Sequence, residues 1–433
     1  MTESAPQLHV QALTDAFAQV GGLGPPTDEA SRDSSRLVEL ASQAPVVRLV
    51  DVVLLEGVAR RASDIHVEVF ERDVMVRYRI DGRCYQVAQP PKSLALAIAS
   101  RIKVLANLDV AESRLPQDGR ILLTIDARQI DLRVSTLPTI YGESIVMRVL
   151  DRGSLDKTLV QLGMSAATQE TIERLIRRPN GLLLVTGPTG AGKTTTLYAC
   201  LTQLNNPELK LITTEDPVEY DLKGLVQVGI NTKIALTFST CLRSILRHDP
   251  DVIMVGEIRD QETAQLAVRA ALTGHLVLST LHTIDAASGI TRLLDLGVEP
   301  FLLCSTLSGV LSQRLVRRLC ERCRTATPIE EAQLKAMGLV PPIPLCQPMR
   351  IATATGCAAC RRTGYQGRIG LFEFLSVDHQ VRSLILKRTT GGQIRQSAIA
   401  RGMPSLWAAG WAAVGTQQTT IDELLRALPP ELR

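Results

Sequence analysis

Aromatic side chains are scarce, making up only 3% of the 433 residues. Stacking platforms for single-stranded nucleic acid are therefore poorly supplied, and a formal net charge of +4 gives no dominant basic surface to neutralise phosphates. Both features argue against a nucleic-acid partner. No uninterrupted apolar run approaches the roughly 20 residues of a membrane-crossing helix, so no transmembrane segment is expected, and any membrane role must go through partners. The first residues lack a basic start, an apolar stretch and a small-residue cleavage site, which predicts no secretory signal and a cytoplasmic address. An even set of cysteines is also missing. Of nine, four fall into two C-x-x-C pairs, as suits metal binding in a reducing compartment. Cys84, Cys200, Cys241, Cys304 and Cys346 stand alone and are expected as buried thiols. No internal repeat is visible.

Residues 1–45 carry six acidic side chains against two arginines, with a Gly-Gly-Leu-Gly-Pro-Pro linker signal at 21–26. This segment reads as an acidic tail, within which Val10, Leu13, Phe17 and Val20 sit at helical spacing and predict a short helix docked on the chain's own body. From 46 to 150, helical pattern alternates with short β-rich runs at Val67–Val69, Val74–Ile80, Ile121–Ile125, Ile130–Val134 and Ile145–Val149, which predicts a small α+β domain. Asp151–Asp156 reads as a joint. Beyond it, from 151 to 433, strand and helix signals alternate as in a doubly wound parallel sheet. The segment 320–360, with its Pro-rich stretch 341–348, interrupts that alternation, and 378–433 reads as mainly helical.

The chemistry concentrates in the larger domain. Gly187-Pro188-Thr189-Gly190-Ala191-Gly192-Lys193-Thr194 matches G-x-x-x-x-G-K-[ST] between a strand at Leu182–Val185 and a helix whose Leu197, Leu201 and Leu204 form a core-facing stripe. Its glycines turn backbone N–H groups towards a phosphate, and the helix N-terminus, at Thr194 and Thr195, adds partial positive charge. Lys193 is expected on the β- and γ-phosphates of ATP and Thr194 on Mg2+. The buried run Asp251–Gly256 ends in Glu257, which becomes the candidate carboxylate for orienting magnesium or the attacking water. A further strand ends at Glu215 and Glu219, near the carboxyl edge where open α/β sheets bind ligands. In the run from His275 to His282 the two histidines lie about 23 Å apart if extended, so both cannot reach one phosphate. The edge position favours His282 as a γ-phosphate sensor, with His275 bracing the start of the strand. Cys320, Cys323, Cys357 and Cys360 give four thiolates in two knuckles, the set that suits tetrahedral Zn2+ in a closed, structural site.

These blocks in this order resemble the secretion ATPase superfamily that powers type II secretion and type IV pili, over nearly everything after residue 46. Arg61–Glu68, Leu115–Arg120 and Asp131–Pro138 look like the signature stretches of that family's amino-terminal domain. Asp131–Pro138 and Gly364–Glu373 lean towards the type II secretion branch, with pilus assembly as the alternative. The resemblance implies an α/β fold: a RecA-like P-loop core, a smaller PAS-like α+β domain and a zinc-bearing insertion. It also implies a homo-hexamer that hydrolyses ATP, works on an inner-membrane platform from the cytoplasmic face and drives pseudopilus assembly. It adds weight to both His275 and His282, and it places arginines at the phosphates, matching Arg133, Arg148, Arg243, Arg247 and Arg259 here. Ser144 stands where the family usually has arginine. The rival classes are a RecA-like nucleic-acid translocase and an ATP-binding scaffold with little turnover.

Overall fold

A computed structural model describes residue 13 and residues 34–125, 128–151, 158–336, 339 and 349–432. The chain divides at residue 154 into two compact units. Val10, Phe17, Val20, Cys346 and the stretch 341–348 lie outside the described residues, whereas Leu13 is buried in the core of the first unit.

The first unit is built on six strands: β1 (Asp64–Val69), β2 (Val74–Ile80), β3 (Arg83–Ala88), β4 (Gln117–Ile125), β5 (Arg128–Thr139) and β6 (Gly142–Asp151). They form one antiparallel sheet in the order β3-β2-β1-β6-β5-β4. Residues alternate sides along each strand, so Ile65 and Val67, Val74 and Val76, and Leu132 and Val134 enter the core with the helices Ala44–Ala59 and Ala95–Leu105. The opposite face is polar. Its register lines up Arg79, Asp64, Arg148, Arg133 and Arg120 across five strands. Strand β3 is absent from the sequence reading because only Tyr85 and Val87 of its six residues are buried, too few to raise a period-2 signal.

The second unit holds β7 (Gly181–Thr186), β8 (Leu211–Glu215), β9 (Val226–Gly229), β10 (Val252–Val255), β11 (Leu276–Leu281), β12 (Leu307–Leu319), β13 (Thr325–Ile329), β14 (Met349–Thr353) and β15 (Tyr365–Ser376). Seven of them make a sheet in the order β15-β12-β7-β11-β10-β8-β9, parallel from β12 to β9. The doubly wound expectation holds there, but β15 runs antiparallel to β12 at one edge. Both faces are covered, which is why the central strands read as continuous apolar runs. Leu182 and Leu184 pack into one core with the helices Gln261–Leu272 and Ala286–Asp295, while Leu183 and Val185 pack into the other with Leu197 and Leu201 of the helix Lys193–Leu204. A smaller core gathers Leu406, Trp407, Trp411 and Leu424 of the C-terminal helices against Val316 and Leu371.

That last region hangs on a buried charge cluster. Arg317 of β12 lies 2.6 Å from Glu423, whose other oxygen takes Arg426 at 2.7 Å, and the Arg317 guanidinium stacks 3.8 Å above the Tyr365 ring. Burial alone would push the Glu423 carboxyl up; hydrogen bonds from Arg426 and Arg317 outweigh it and hold the group down at about 2. Its stabilising contribution is therefore present above the ordinary value of 4.5 and is lost as pH falls towards 2. Glu423→Ala would remove the carboxylate that binds Arg317, a guanidinium only 4% exposed. A loss of about 3–5 kcal/mol is expected, read as a drop in unfolding midpoint at neutral pH that shrinks in acid.

Candidate functional site

At the carboxyl end of β7 the chain enters the loop Gly187–Gly192, and the helix starts at Lys193. Gly187, Gly190 and Gly192 have φ of +148°, +77° and +85°, conformations that L side chains resist. At Gly187 space forbids a side chain as well, since a Cβ would stand 2.6 Å from the Gln313 carbonyl oxygen. The loop is thus a backbone cradle at a helix N-terminus, with Thr194 exposed beside it; these residues fit a nucleotide's phosphates and Mg2+. Lys193 donates to the carbonyls of Gly187 (2.9 Å) and Pro188 (3.1 Å). Burial pushes its ammonium down to about 8; the Glu257 carboxylate pulls upward and the Arg314 cation pushes further down.

Glu257 follows β10 in a segment stitched to both neighbouring strands. The Gly256 N–H donates to the Thr214 carbonyl (2.8 Å), the Ile258 N–H to the Thr280 carbonyl (3.0 Å), and the Thr280 hydroxyl to the Gly256 carbonyl (2.7 Å). The glycine before the carboxylate, where an aspartate is common in this motif, has a packing reason: a Cβ there would meet the Thr214 oxygen at 3.1 Å. Glu257 pairs with Arg259 at 2.5 Å and with His282 Nε2 at 3.4 Å. Lys193, Glu257, Arg259 and His282 therefore gather at one edge of the sheet.

The other sequence candidates make contacts of their own. His275 sits at the opposite end of β11, its Nδ1 2.9 Å from the Ala270 carbonyl, and is not brought to the phosphate loop. Glu215 is 3% exposed with both oxygens engaged: Thr213 donates at 2.5 Å, Gln227 at 3.0 Å, and the Tyr198 hydroxyl takes the other oxygen. It ties the phosphate-loop helix to β8 and β9 and stands beside Gly256, where a Cβ would lie 3.4 Å from the Glu215 Cα. Arg243 pairs with Glu262, and Arg247 folds onto the Arg243 carbonyl (2.9 Å) and Ser244. Arg148 pairs with Asp64 at 3.2 Å on the outer sheet face of the first unit, with Arg133 beside it in register.

Sequence reading missed two residues of β12 at this site. Gln313 donates to the Ala191 carbonyl (2.5 Å) and accepts from the Thr196 hydroxyl (2.8 Å), while Arg314 donates to the carbonyls of Gln313 (3.0 Å) and Ile284 (2.6 Å). The available signal was the polar triplet Ser312-Gln313-Arg314 inside an apolar run.

The four cysteines converge. Sγ atoms of Cys320 and Cys357 are 3.9 Å apart, Cys323 and Cys360 3.7 Å, and Cys357 and Cys360 3.8 Å. Four sulfurs at about 2.3 Å from a tetrahedral zinc stand roughly 3.8 Å from one another, so the set is compatible with that ion. Backbone N–H groups of Cys357 (3.1 Å) and Gly364 (3.2 Å) donate to Cys360 Sγ, as suits a thiolate. Of the isolated cysteines, Cys200 and Cys241 are buried as expected, whereas Cys84 and Cys304 are only half-buried.

A RecA-like sheet, a glycine cradle with its lysine and a carboxylate at the same sheet edge define a P-loop ATPase. Residues 39–426 match the family model "Type II/IV secretion system protein", and the chain belongs to that family of ATPases, which use ATP with Mg2+ to drive secretion. It is 48% identical over 394 residues to "Type II secretion system protein E" of Aeromonas hydrophila, covering 91% of this chain and 77% of that protein. A protein of the same name from Klebsiella pneumoniae is 51% identical over 353 residues, covering 82% and 70%. The fold is similar to the ATPase DotB of Legionella pneumophila (TM-score 0.63, 20% identity, 86% of this chain and 93% of that one). Among the described residues, no helix is long and apolar enough to cross a membrane.

Proposed function

We propose that this chain is the hexameric motor of a type II secretion system, working at the cytoplasmic face of the inner membrane and driving pseudopilus assembly through platform proteins. The observation that carries the motor reading is the glycine cradle with Lys193 at the sheet edge where Glu257 also ends its strand, with His282 and Arg259 holding the carboxylate. Lys193 leaves its loop carbonyls to neutralise the β- and γ-phosphates, and backbone N–H groups of Thr189–Thr194 donate to the remaining phosphate oxygens. Thr194 would hold Mg2+, which would supply charge neutralisation at those phosphates. Glu257 orients the attacking water and takes its proton; the His282 ring, 3.4 Å away, fixes which way the carboxylate faces. Arg259 lies on the carboxylate and is released towards phosphate charge as it develops. Cys320, Cys323, Cys357 and Cys360 would hold Zn2+ through four protein ligands, in a structural role. The 47–51% identity to proteins named for type II secretion favours that branch over pilus assembly.

The test is ATPase rate per chain against protein concentration, with solution mass recorded and Lys193→Ala alongside. A rate that climbs as hexamers form and vanishes in the variant is the expected result. A rate indifferent to assembly would remove the ring motor.

A further inference from the structure

Gln313 and Arg314 are buried polar residues in the middle of a buried strand, 2% and 6% exposed, a costly placement unless each is fully used. They are used on opposite sides. Neighbours along a strand point to opposite faces, and two residues of the same strand show which face is which: Leu311 packs with the phosphate-loop helix, Val310 with the helix Ala286–Asp295. Gln313 therefore shares the face of Leu311 and grips the phosphate loop at Ala191 and the first helical turn at Thr196. Arg314 shares the face of Val310 and grips Ile284, one residue before Asp285 caps the helix Ala286–Asp295. That loop begins at His282, and its second tether is the Thr186 hydroxyl on the Asp285 carbonyl, at 3.5 Å. Arg314 has no carboxylate within ion-pair distance among the described residues, although Asp285 and Glu373 lie near enough to favour its charge. Its hydrogen bonds go to carbonyl oxygens instead, so its geometry serves loop placement.

We propose that Gln313 and Arg314 are positioning residues for ATP hydrolysis: two consecutive side chains of β12 that fix the phosphate loop and the His282 loop at a set separation. This rests on the reading of Lys193 and Glu257 as the nucleotide machinery. Gln313 holds the cradle open by taking the Ala191 carbonyl outward, so it acts on nucleotide affinity. Arg314 sets where His282, and through it Glu257, stands relative to Lys193, so it acts on turnover. It also contributes positive charge beside Lys193, whose facing charged groups are Glu257 and Arg314.

Gln313→Glu is the sharp test, because it keeps an acceptor for Thr196 and turns the donor facing Ala191 into a repelling oxygen. Titration with a fluorescent ATP analogue is expected to show affinity weakened about tenfold, the scale of one lost buried hydrogen bond. Arg314→Lys keeps the charge but cannot span both carbonyls, and is expected to lower kcat about tenfold with KM within twofold. Gln313→Asn and Arg314→Gln serve as second variants should Gln313→Glu or Arg314→Lys fold poorly. Wild-type KM and kcat in folded variants would overturn the proposal, as would a lowered unfolding temperature with no kinetic change. Failure of the wild type itself to bind ATP would instead remove the underlying reading of the site.

Discussion

Glu257→Gln is expected to cut ATP turnover per chain by about 10²–10³-fold while leaving ATP affinity within a fewfold of wild type. The substitution keeps size and one acceptor oxygen but removes the group able to take a proton from water. Its surroundings make the loss specific. Gly256 and Ile258 are fixed by backbone hydrogen bonds to β8 and β11, so the side chain at 257 stays in place whatever its charge. Lys193, the main phosphate ligand, and the glycine cradle around it are untouched by the substitution. Rapid-quench turnover beside equilibrium nucleotide binding separates the two quantities. Turnover unchanged in the variant would point to the scaffold alternative, in which nucleotide is bound but hydrolysis carries no function.

The parts of this site legible in the sequence are those written in consecutive residues. The cradle Gly187–Thr194 is one eight-residue phrase between a strand and a helix, and its φ angles follow from the glycines in it. Glu257 was legible because a buried β run can end in a carboxylate only at a sheet edge. Two kinds of information were not local. The hydrogen-bond partners of Glu215, Tyr198 and Gln227, stand 17 and 12 positions away. Gln313 meets Ala191 across 122 residues, and only the parallel pairing of β12 with β7 brings them together. The histidine pair shows the same division. Strand length already separates His275 from His282, but which end faces the phosphate depends on the direction of β11 beside β7. In the first unit, short strands with alternating burial announced themselves except β3, whose exposed residues weaken the pattern.

Stripping the metal from the four-cysteine cluster is expected to release the segment 320–360 and lower the unfolding midpoint by about 10 °C, taking several kcal/mol at roughly 2–4 °C per kcal/mol. The reason lies in what the knuckles bracket. Cys320 directly follows β12, and its N–H donates to Gly364 (3.0 Å), just before β15 begins. Cys357 and Cys360 therefore pin the far end of the β12–β15 ribbon, whose register shifts between Arg317 and Leu319. Between the knuckles, β13 and β14 form a separate two-stranded sheet, so a metal held by the four thiols would be the clasp that returns the chain to the main body. The damage should be graded along β12. Hydrogen-exchange protection is expected to fall at Val316–Leu319 and Tyr365–Ile369, whereas the buried middle of the strand around Gln313 keeps its protection. Chelation with metal content measured in parallel, and Cys357→Ser as the genetic counterpart, provide the check. Protein that carries no bound metal as purified, with all four thiols freely titratable and an unchanged midpoint, would show that the ribbon stands without the clasp.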